Sequence, residues 1–182
     1  ERKHSGKKVI LFGAMIPSDR RKGLDLLLRA IERLDVNKYR IVIFGNTDGM
    51  KLDDIKMEHL ELGSLHGANA MAEVYNMADV FVVPSRQENL SNSVTEALSC
   101  GIPVTAFNIG GMEDMVESHI NGYLARPLDA EDLAEGIKYC AENKESLGIK
   151  AREKAEKEFS MKVIGEQYVR LCRETCKHNN NN

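Results

Sequence analysis

Short apolar runs alternate along this chain with segments in which apolar residues recur at helical spacing. The runs predict buried strands at residues 8–13, 40–45, 59–63, 79–84, 103–107 and 122–125. Helical spacing predicts helices at residues 22–34, 68–77, 93–100 and 111–118, and from 129 to about 176 with breaks near Asn143 and Ser160. Strands that are apolar along their whole length are typical of a parallel sheet buried on both faces.

This alternation predicts an α/β fold, namely a Rossmann-like three-layer α/β/α domain with a parallel sheet of about six strands. The sequence shows no internal repeat and no domain boundary. Residues 1–177 are therefore expected to form one domain, and residues 178–182 a disordered tail. Because ligands of such folds bind beyond the carboxyl ends of the strands, the candidate site comprises the loops that follow Gly13, Gly45, Gly63, Pro84 and Phe107.

Composition narrows the class of protein. The 182 residues are 42% apolar and 29% charged with a net charge of −3, which suits a globular domain without a broad nucleic-acid footprint. The sequence contains no apolar run of membrane-spanning length and no signal peptide. The four cysteines have no metal-binding spacing and predict reduced thiols, hence a cytoplasmic location.

Three cations, Arg20, Arg21 and Lys22, stand where the first helix is predicted to begin. The helix dipole disfavours cations at that end, so a bound anion such as a diphosphate would explain them. The alternative is a solvated basic loop in which Asp19 supplies the compensating charge.

Two glutamates flank a polar loop that follows the strand at residues 79–84. Glu88 could accept hydrogen bonds from sugar hydroxyls or stabilise a developing positive charge, or it is a surface carboxylate. Asn92 and Ser93 could present backbone N–H groups to a phosphate. Alternatively, Ser93 and Glu96 form a capping box, which would make Glu96 structural.

Gly110 and Gly111 form a turn that would allow the backbone to approach a ligand closely. No dinucleotide-binding glycine fingerprint and no Walker A sequence is present. No metal site is predicted: Asp53 and Asp54 do not resemble a metal cluster, and the histidines are scattered. His66 is interpreted as a solvated loop residue.

The stretch 78–104 resembles the donor-binding signature of the retaining GT-B-fold glycosyltransferases of the family 4 type, also called glycosyl transferases group 1. The matching residues are Ala78-Asp79-Val80, Pro84-Ser85, Glu88, Glu96-Ala97, Gly101 and Pro103-Val104. Lys22-Gly23, Gly110-Gly111 with Asp114, and Asn121 to Leu124 extend the resemblance to residues 8–175. Any one of these motifs is weak, whereas their order in one α/β frame is specific.

The resemblance implies roles for several residues of the candidate site. Glu88 would face the donor sugar and its reacting centre, which makes it the implied catalytic residue. Glu96 would hydrogen-bond the ribose of the nucleotide. Lys22 would contact the diphosphate, and the backbone around Asn92 and Ser93 would cradle the same phosphates.

The remaining implied contacts lie in neighbouring loops. The loop that ends at Leu65 would lie against the base, and the turn at Gly110 and Gly111 would approach the donor. The chain departs from the family after the first strand, where Ala14 follows Gly13 in place of the usual arginine. Arg20 or Arg21 is the expected substitute.

By this resemblance, the chain is the C-terminal donor-binding domain of a hexosyltransferase in polysaccharide biosynthesis. The enzyme would transfer a sugar from a UDP- or GDP-sugar to a glycan or lipid-linked acceptor, with retention and without a metal or other cofactor. The acceptor-binding N-terminal domain would be absent, so the fragment is expected to be inactive alone. Membrane contact, peripheral at the inner face, is expected only through that absent half.

The alternative is a non-catalytic Rossmann-like domain for ligand sensing or protein interaction, and the departure at Ala14 motivates it. A domain of this kind would keep the fold and lose phosphate contacts. An NAD-dependent dehydrogenase is disfavoured because the glycine fingerprint is absent.

Overall fold

The computed structural model describes residues 6–16, 19–47, 52 and 55–179. The strands are β1 (Lys8–Gly13), β2 (Tyr39–Phe44), β3 (His59–Glu61), β4 (Val80–Val83), β5 (Val104–Phe107) and β6 (Gly122–Ala125). The helices are α1 (Leu24–Ile31), α2 (Ala68–Met77), α3 (Asn92–Ser99), α4 (Met112–Met115), α5 (Ala130–Glu142), α6 (Lys144–Lys154) and α7 (Met161–Asn179). A 3₁₀ turn at Arg20–Lys22 precedes α1, and a π-helical turn at Ala155–Phe159 precedes α7.

All six strands are parallel and form one sheet in the order β3-β2-β1-β4-β5-β6. In the centre, Ile10 of β1 pairs with Ile41 of β2 on one side and with Val80 of β4 on the other. The chain first builds the sheet outward from β1 to β3 and then returns to place β4 beside β1. The carboxyl ends of β1 and β4 therefore form a topological switch point, where α/β folds bind ligands. The predicted fold class is confirmed.

Each face of the sheet has its own apolar core because side chains alternate along the strands. Ile10 and Phe12 point toward α1 and α5, and Val9 and Leu11 point toward α2, α3 and the end of α6. The two cores hold nearly all the buried apolar residues, which makes the sheet a rigid platform for the loops at its carboxyl edge.

The first helix begins two residues later than its sequence pattern predicts. Gly23 has φ 70°, a left-handed conformation that ends the 3₁₀ turn and starts α1 at Leu24. A Cβ atom at this position would lie 1.8 Å from the carbonyl oxygen of Pro84. Glycine is therefore required here, both by the backbone conformation and by the close approach of the β4 loop.

The helix predicted at residues 111–118 is also shorter than expected. It ends at Met115 because the backbone is extended from Val116. The buried Asn121 side chain holds this bend: its Oδ1 accepts the Glu117 N–H at 2.7 Å, and its Nδ2 donates to the Met115 carbonyl at 3.0 Å.

Asp79, the acidic residue of the signature ahead of β4, lies at the amino edge of the sheet. Its Oδ2 accepts the Val9 N–H at 2.7 Å, and its own N–H donates to the Val9 carbonyl at 2.8 Å. The ammonium groups of Lys8 and Lys144 lie 3.8 and 3.6 Å from its Oδ1. This part of the signature therefore joins strands and lies at the edge opposite the switch point.

The C-terminal helix α7 continues through Asn179. The first two residues of the tail predicted at 178–182 are thus helical, and the rest lie outside the described residues. In the described part of the chain, no helix carries an apolar stretch of the length that a bilayer requires.

Candidate functional site

The loops that follow β1 and β4 are fastened together at the switch point. The Arg86 N–H donates to the Arg21 carbonyl at 2.7 Å. The Arg86 guanidinium donates to the Arg20 carbonyl at 2.9 Å and to both oxygens of Asp25 at 2.7 and 2.6 Å. This network, together with the tight contact at Gly23, fixes the 3₁₀ turn relative to the β4 loop.

Lys22 and Glu88 are brought together by this arrangement. The Lys22 Nζ lies 2.8 Å from Glu88 Oε2, and the two side chains are 35% and 14% exposed. The buried Ser85 hydroxyl donates to the same carboxylate oxygen at 3.2 Å. A cation and a carboxylate thus stand side by side, partly shielded from solvent, at the edge where a ligand of this fold would lie.

Arg21 does not share this environment. Its guanidinium donates to both oxygens of Asp19, and its side chain is 70% exposed. These hydrogen bonds hold the pKa of Asp19 below its ordinary value. For Arg21 the structure therefore favours the alternative in which Asp19 supplies the compensating charge, whereas Lys22 belongs to the candidate site.

The turn at Gly110 and Gly111 packs directly against the Glu88 loop. Gly110 has φ 53°, and a Cβ there would lie 1.9 Å from the carbonyl oxygen of Glu88. A Cβ at Gly111 would lie 2.6 Å from the Asn89 carbonyl oxygen. The close backbone approach expected of these glycines is thus seen against the Glu88 loop, and the turn packs against that loop.

The N-terminus of α3 is open. Ser91 is the cap residue, but its hydroxyl contacts that of Ser93 at 2.9 Å and makes no capping hydrogen bond. Within the described residues, no acceptor takes the backbone N–H of Asn92 or Ser93. Free N–H groups at the positive end of a helix dipole favour an anion.

Glu96, one turn into α3, is not part of a capping box, so that alternative is wrong. Its Oε2 instead accepts the Tyr75 hydroxyl of α2 at 2.9 Å. Tyr75 is 1% exposed. Burial, together with the adjacent Glu96 carboxylate, raises the pKa of Tyr75 well above its ordinary value, so the phenol remains a donor.

Leu65 lies in the loop after β3 and is half-buried against the core that contains α2 and α3. The Gly45 N–H donates to the Gly63 carbonyl at 2.8 Å, which joins this loop to the end of β2. His66 next to it is exposed, as predicted. Leu65 is therefore held at the same carboxyl edge as Lys22 and Glu88.

Within the described ranges, no three acidic, histidine or cysteine side chains are grouped so that they could hold a metal ion. Asp53 and Asp54 lie outside those ranges. A recess of about 400 Å³ lies between the end of α1 and residues 55–57, lined mainly by Leu28, Ile31, Val36, Ile55 and Met57. None of the predicted site residues lines it.

Sequence reasoning assigned no role to three residues that shape the site: Tyr75, Ser85 and Arg86. Ser85 directly follows a buried strand at the carboxyl edge, and this position was a usable signal. Tyr75 lies in the apolar stripe of a predicted helix. The hydroxyl of a buried tyrosine usually has a hydrogen-bond partner, and this was a second usable signal. Nothing in the sequence pairs Arg86 with Asp25, because the two are 61 positions apart.

The sequence profile of the family described as "Glycosyl transferases group 1" matches residues 6–143. Among curated proteins, the sulfoquinovosyl transferase SQD2 of Arabidopsis thaliana is 33% identical over 162 residues, which are 81% of this chain and 31% of that protein. The D-inositol 3-phosphate glycosyltransferase of Geodermatophilus obscurus is 38% identical over 85 residues, 47% of this chain and 19% of that protein. The chain thus spans less than half the length of these relatives.

Solved structures share the fold. Sucrose-phosphate synthase of Thermosynechococcus elongatus superposes with a TM-score of 0.81 at 26% identity, over 96% of this chain and 47% of the other. Alr3699/HepE of Anabaena, solved in complex with UDP-glucose, superposes with a TM-score of 0.78 at 20% identity, over 92% of this chain and 49% of the other. Since the family profile covers most of the sequence, the chain belongs to the glycosyl transferases group 1 family.

Proposed function

We propose that this chain is the C-terminal, donor-binding half of a retaining glycosyltransferase. It binds a nucleotide-diphosphate sugar, of the UDP or GDP type, for transfer to a glycan or lipid-linked acceptor held by a separate domain. The observation that carries the proposal is the Lys22–Glu88 pair at the switch point of the fold, with the open N-terminus of α3 at the end of the loop that follows β4. Fold neighbours solved with UDP-glucose and with UDP support a nucleotide-sugar ligand.

The charges suit the breaking of a bond between a sugar and a diphosphate. The leaving diphosphate gains negative charge, which the Lys22 ammonium and the N–H groups of Asn92 and Ser93 stabilise. The sugar gains positive charge, which the Glu88 carboxylate stabilises from the other side. These groups supply the charge stabilisation from the chain itself, which is the basis for proposing metal independence.

The Lys22–Glu88 ion pair has a consequence for donor binding. The Lys22 ammonium and the Glu88 carboxylate compensate each other's charge. When a diphosphate accepts hydrogen bonds from Lys22, the Glu88 carboxylate loses part of this compensation beside the sugar. Its negative charge is then available where positive charge develops.

Isothermal titration calorimetry with UDP, GDP and UDP-glucose, with and without EDTA, tests donor binding. We expect Lys22→Ala to weaken UDP binding about 10- to 100-fold, because one charge-assisted hydrogen bond to phosphate is lost. Lys150→Ala, which removes an exposed ion pair with Glu153 on α6, is the matched control and should bind as the wild type does. Failure of every nucleotide to bind would favour the alternative of a non-catalytic domain.

A second experiment tests the assignment of this chain to the donor half. The chain is incubated with UDP-glucose and candidate acceptors beside a full-length glycosyltransferase that contains it. We expect transfer, with retained anomeric configuration by NMR, only from the full-length protein. Efficient transfer by the 182-residue chain alone would contradict the proposal.

A further inference from the structure

Glu96 is an exposed side chain that is nevertheless held in one orientation. It projects from α3 toward solvent, but its Oε2 accepts the Tyr75 hydroxyl at 2.9 Å. An unrestrained glutamate samples many rotamers, and fixing one of them on binding a ligand costs conformational entropy. A carboxylate that is already fixed binds with a smaller entropic cost.

Tyr75 is suited to fix this carboxylate because the sheet fixes Tyr75 itself. Its ring makes edge-to-face contacts with Phe44 at the end of β2 and with Phe81 of β4, at centroid distances of 6.1 and 5.4 Å. The Phe44 ring in turn lies over Gly13, where a Cβ would come within 2.1 Å of it. The hydroxyl position is therefore set by the strands whose following loops form the candidate site.

The hydrogen bond leaves part of Glu96 available. Oε2 accepts the hydrogen bond from the Tyr75 hydroxyl, whereas Oε1 accepts no hydrogen bond from the described residues. A carboxylate oxygen accepts from hydroxyl groups, and the two adjacent hydroxyls of a ribose offer such donors.

We infer that Tyr75 is a positioning residue for nucleotide recognition: it holds the Glu96 carboxylate so that its free oxygen accepts the ribose hydroxyls of the donor. This role rests on the proposed function and on the ribose contact that the family resemblance implies for Glu96. Tyr75 itself is buried beneath Glu96 and does not touch the nucleotide.

The test compares nucleotides with and without ribose hydroxyls. UDP and GDP, and the 2′,3′-dideoxy form of each, are titrated into the wild type, Tyr75→Phe, Glu96→Gln and Tyr123→Phe. Tyr123, on the edge strand β6, is the matched control. Its hydroxyl also donates to a carboxylate, that of Asp132, at 2.9 Å. Melting temperatures establish that each variant is folded.

We expect Tyr75→Phe to weaken binding of the ribonucleotide about tenfold and to leave binding of the dideoxy form unchanged. The double variant Tyr75→Phe/Glu96→Gln should bind the ribonucleotide no more weakly than Glu96→Gln alone, because both substitutions disrupt the same interaction. Tyr123→Phe should behave as the wild type.

Equal losses for the ribose and dideoxy forms in Tyr75→Phe would indicate a packing role and overturn the inference alone. Wild-type protein that binds neither UDP nor GDP would overturn the proposed function and this role with it. Should Tyr75→Phe not fold, the ¹³Cζ resonance of Tyr75 in the wild type provides the readout. It should shift on addition of the ribonucleotide but not of the dideoxy form, and the same shift with both would count against the role.

Discussion

Replacing Arg86 by alanine removes the side chain that fastens the β4 loop to the start of α1. The guanidinium makes two hydrogen bonds to Asp25 and one to the Arg20 carbonyl. The backbone hydrogen bond from the Arg86 N–H to the Arg21 carbonyl remains. The substitution therefore removes the Arg86 side-chain hydrogen bonds between the β4 loop and the start of α1 but keeps this main-chain one.

The size of the effect follows from the exposure of the two partners. The Arg86 side chain is 22% exposed and that of Asp25 55%, so solvent screens their attraction and the pair contributes up to about 1 kcal/mol. The hydrogen bond to the Arg20 carbonyl contributes about 1 kcal/mol more. We expect Arg86→Ala to lower the free energy of unfolding by about 1–2 kcal/mol and the Tm by roughly 3–6 °C.

The dependence on pH provides a signature of the ion pair. The Arg86 hydrogen bonds lower the pKa of Asp25 in the folded protein. The ionised Asp25 therefore makes its whole contribution to the free energy of unfolding above the pKa of the unfolded state, about 3.9. This contribution is lost as the pH falls through the pKa of the folded state. The Tm difference between wild type and Arg86→Ala should be constant from pH 7 to about 5 and shrink toward pH 3.

Calorimetric melts across this pH range test the reasoning. Lys150→Ala, which removes the exposed pair with Glu153, should change the free energy of unfolding by less than about 0.5 kcal/mol. Arg86→Lys should fall between wild type and Arg86→Ala, because an ammonium cannot bind both carboxylate oxygens of Asp25 as a fork. A melt of Arg86→Ala that matches Lys150→Ala at every pH would refute this account of the loop.

Two further perturbations test the packing. Gly110→Ala should lower the free energy of unfolding by about 3 kcal/mol in urea titrations, since the new Cβ meets the Glu88 carbonyl. Gly63→Ala, with a similar φ of 65° but open space around it, should cost only about 1 kcal/mol, and equal costs would contradict the packing argument. Cys140, whose pKa burial raises to about 12, should resist maleimide at pH 8 until the protein unfolds, whereas exposed Cys172 should react at once; peptide mapping that shows equal rates would contradict the burial.

Local patterns were sufficient to predict most elements of this fold. The bounds of β1, α2 and β6 match those predicted from the sequence, because apolar runs and helical spacing depend only on neighbours along the chain. The start of α1 differs from the prediction because Gly23 takes a left-handed conformation and packs against the carbonyl of Pro84, which belongs to a loop far away along the chain.

For the candidate site, the sequence by itself determined which residue types stand near the carboxyl ends of the strands. Lys22 was singled out at the start of the first predicted helix, Glu88 in the loop after an apolar run, and Glu96 through the resemblance to the glycosyltransferase family. Only the tertiary structure decided how they are paired. Lys22 meets Glu88 across 66 positions, and Glu96 meets Tyr75 rather than Ser93. The physical reason is that strand order brings separate loops together, and the hydrophobic period of each strand carries no information about which strand lies beside it.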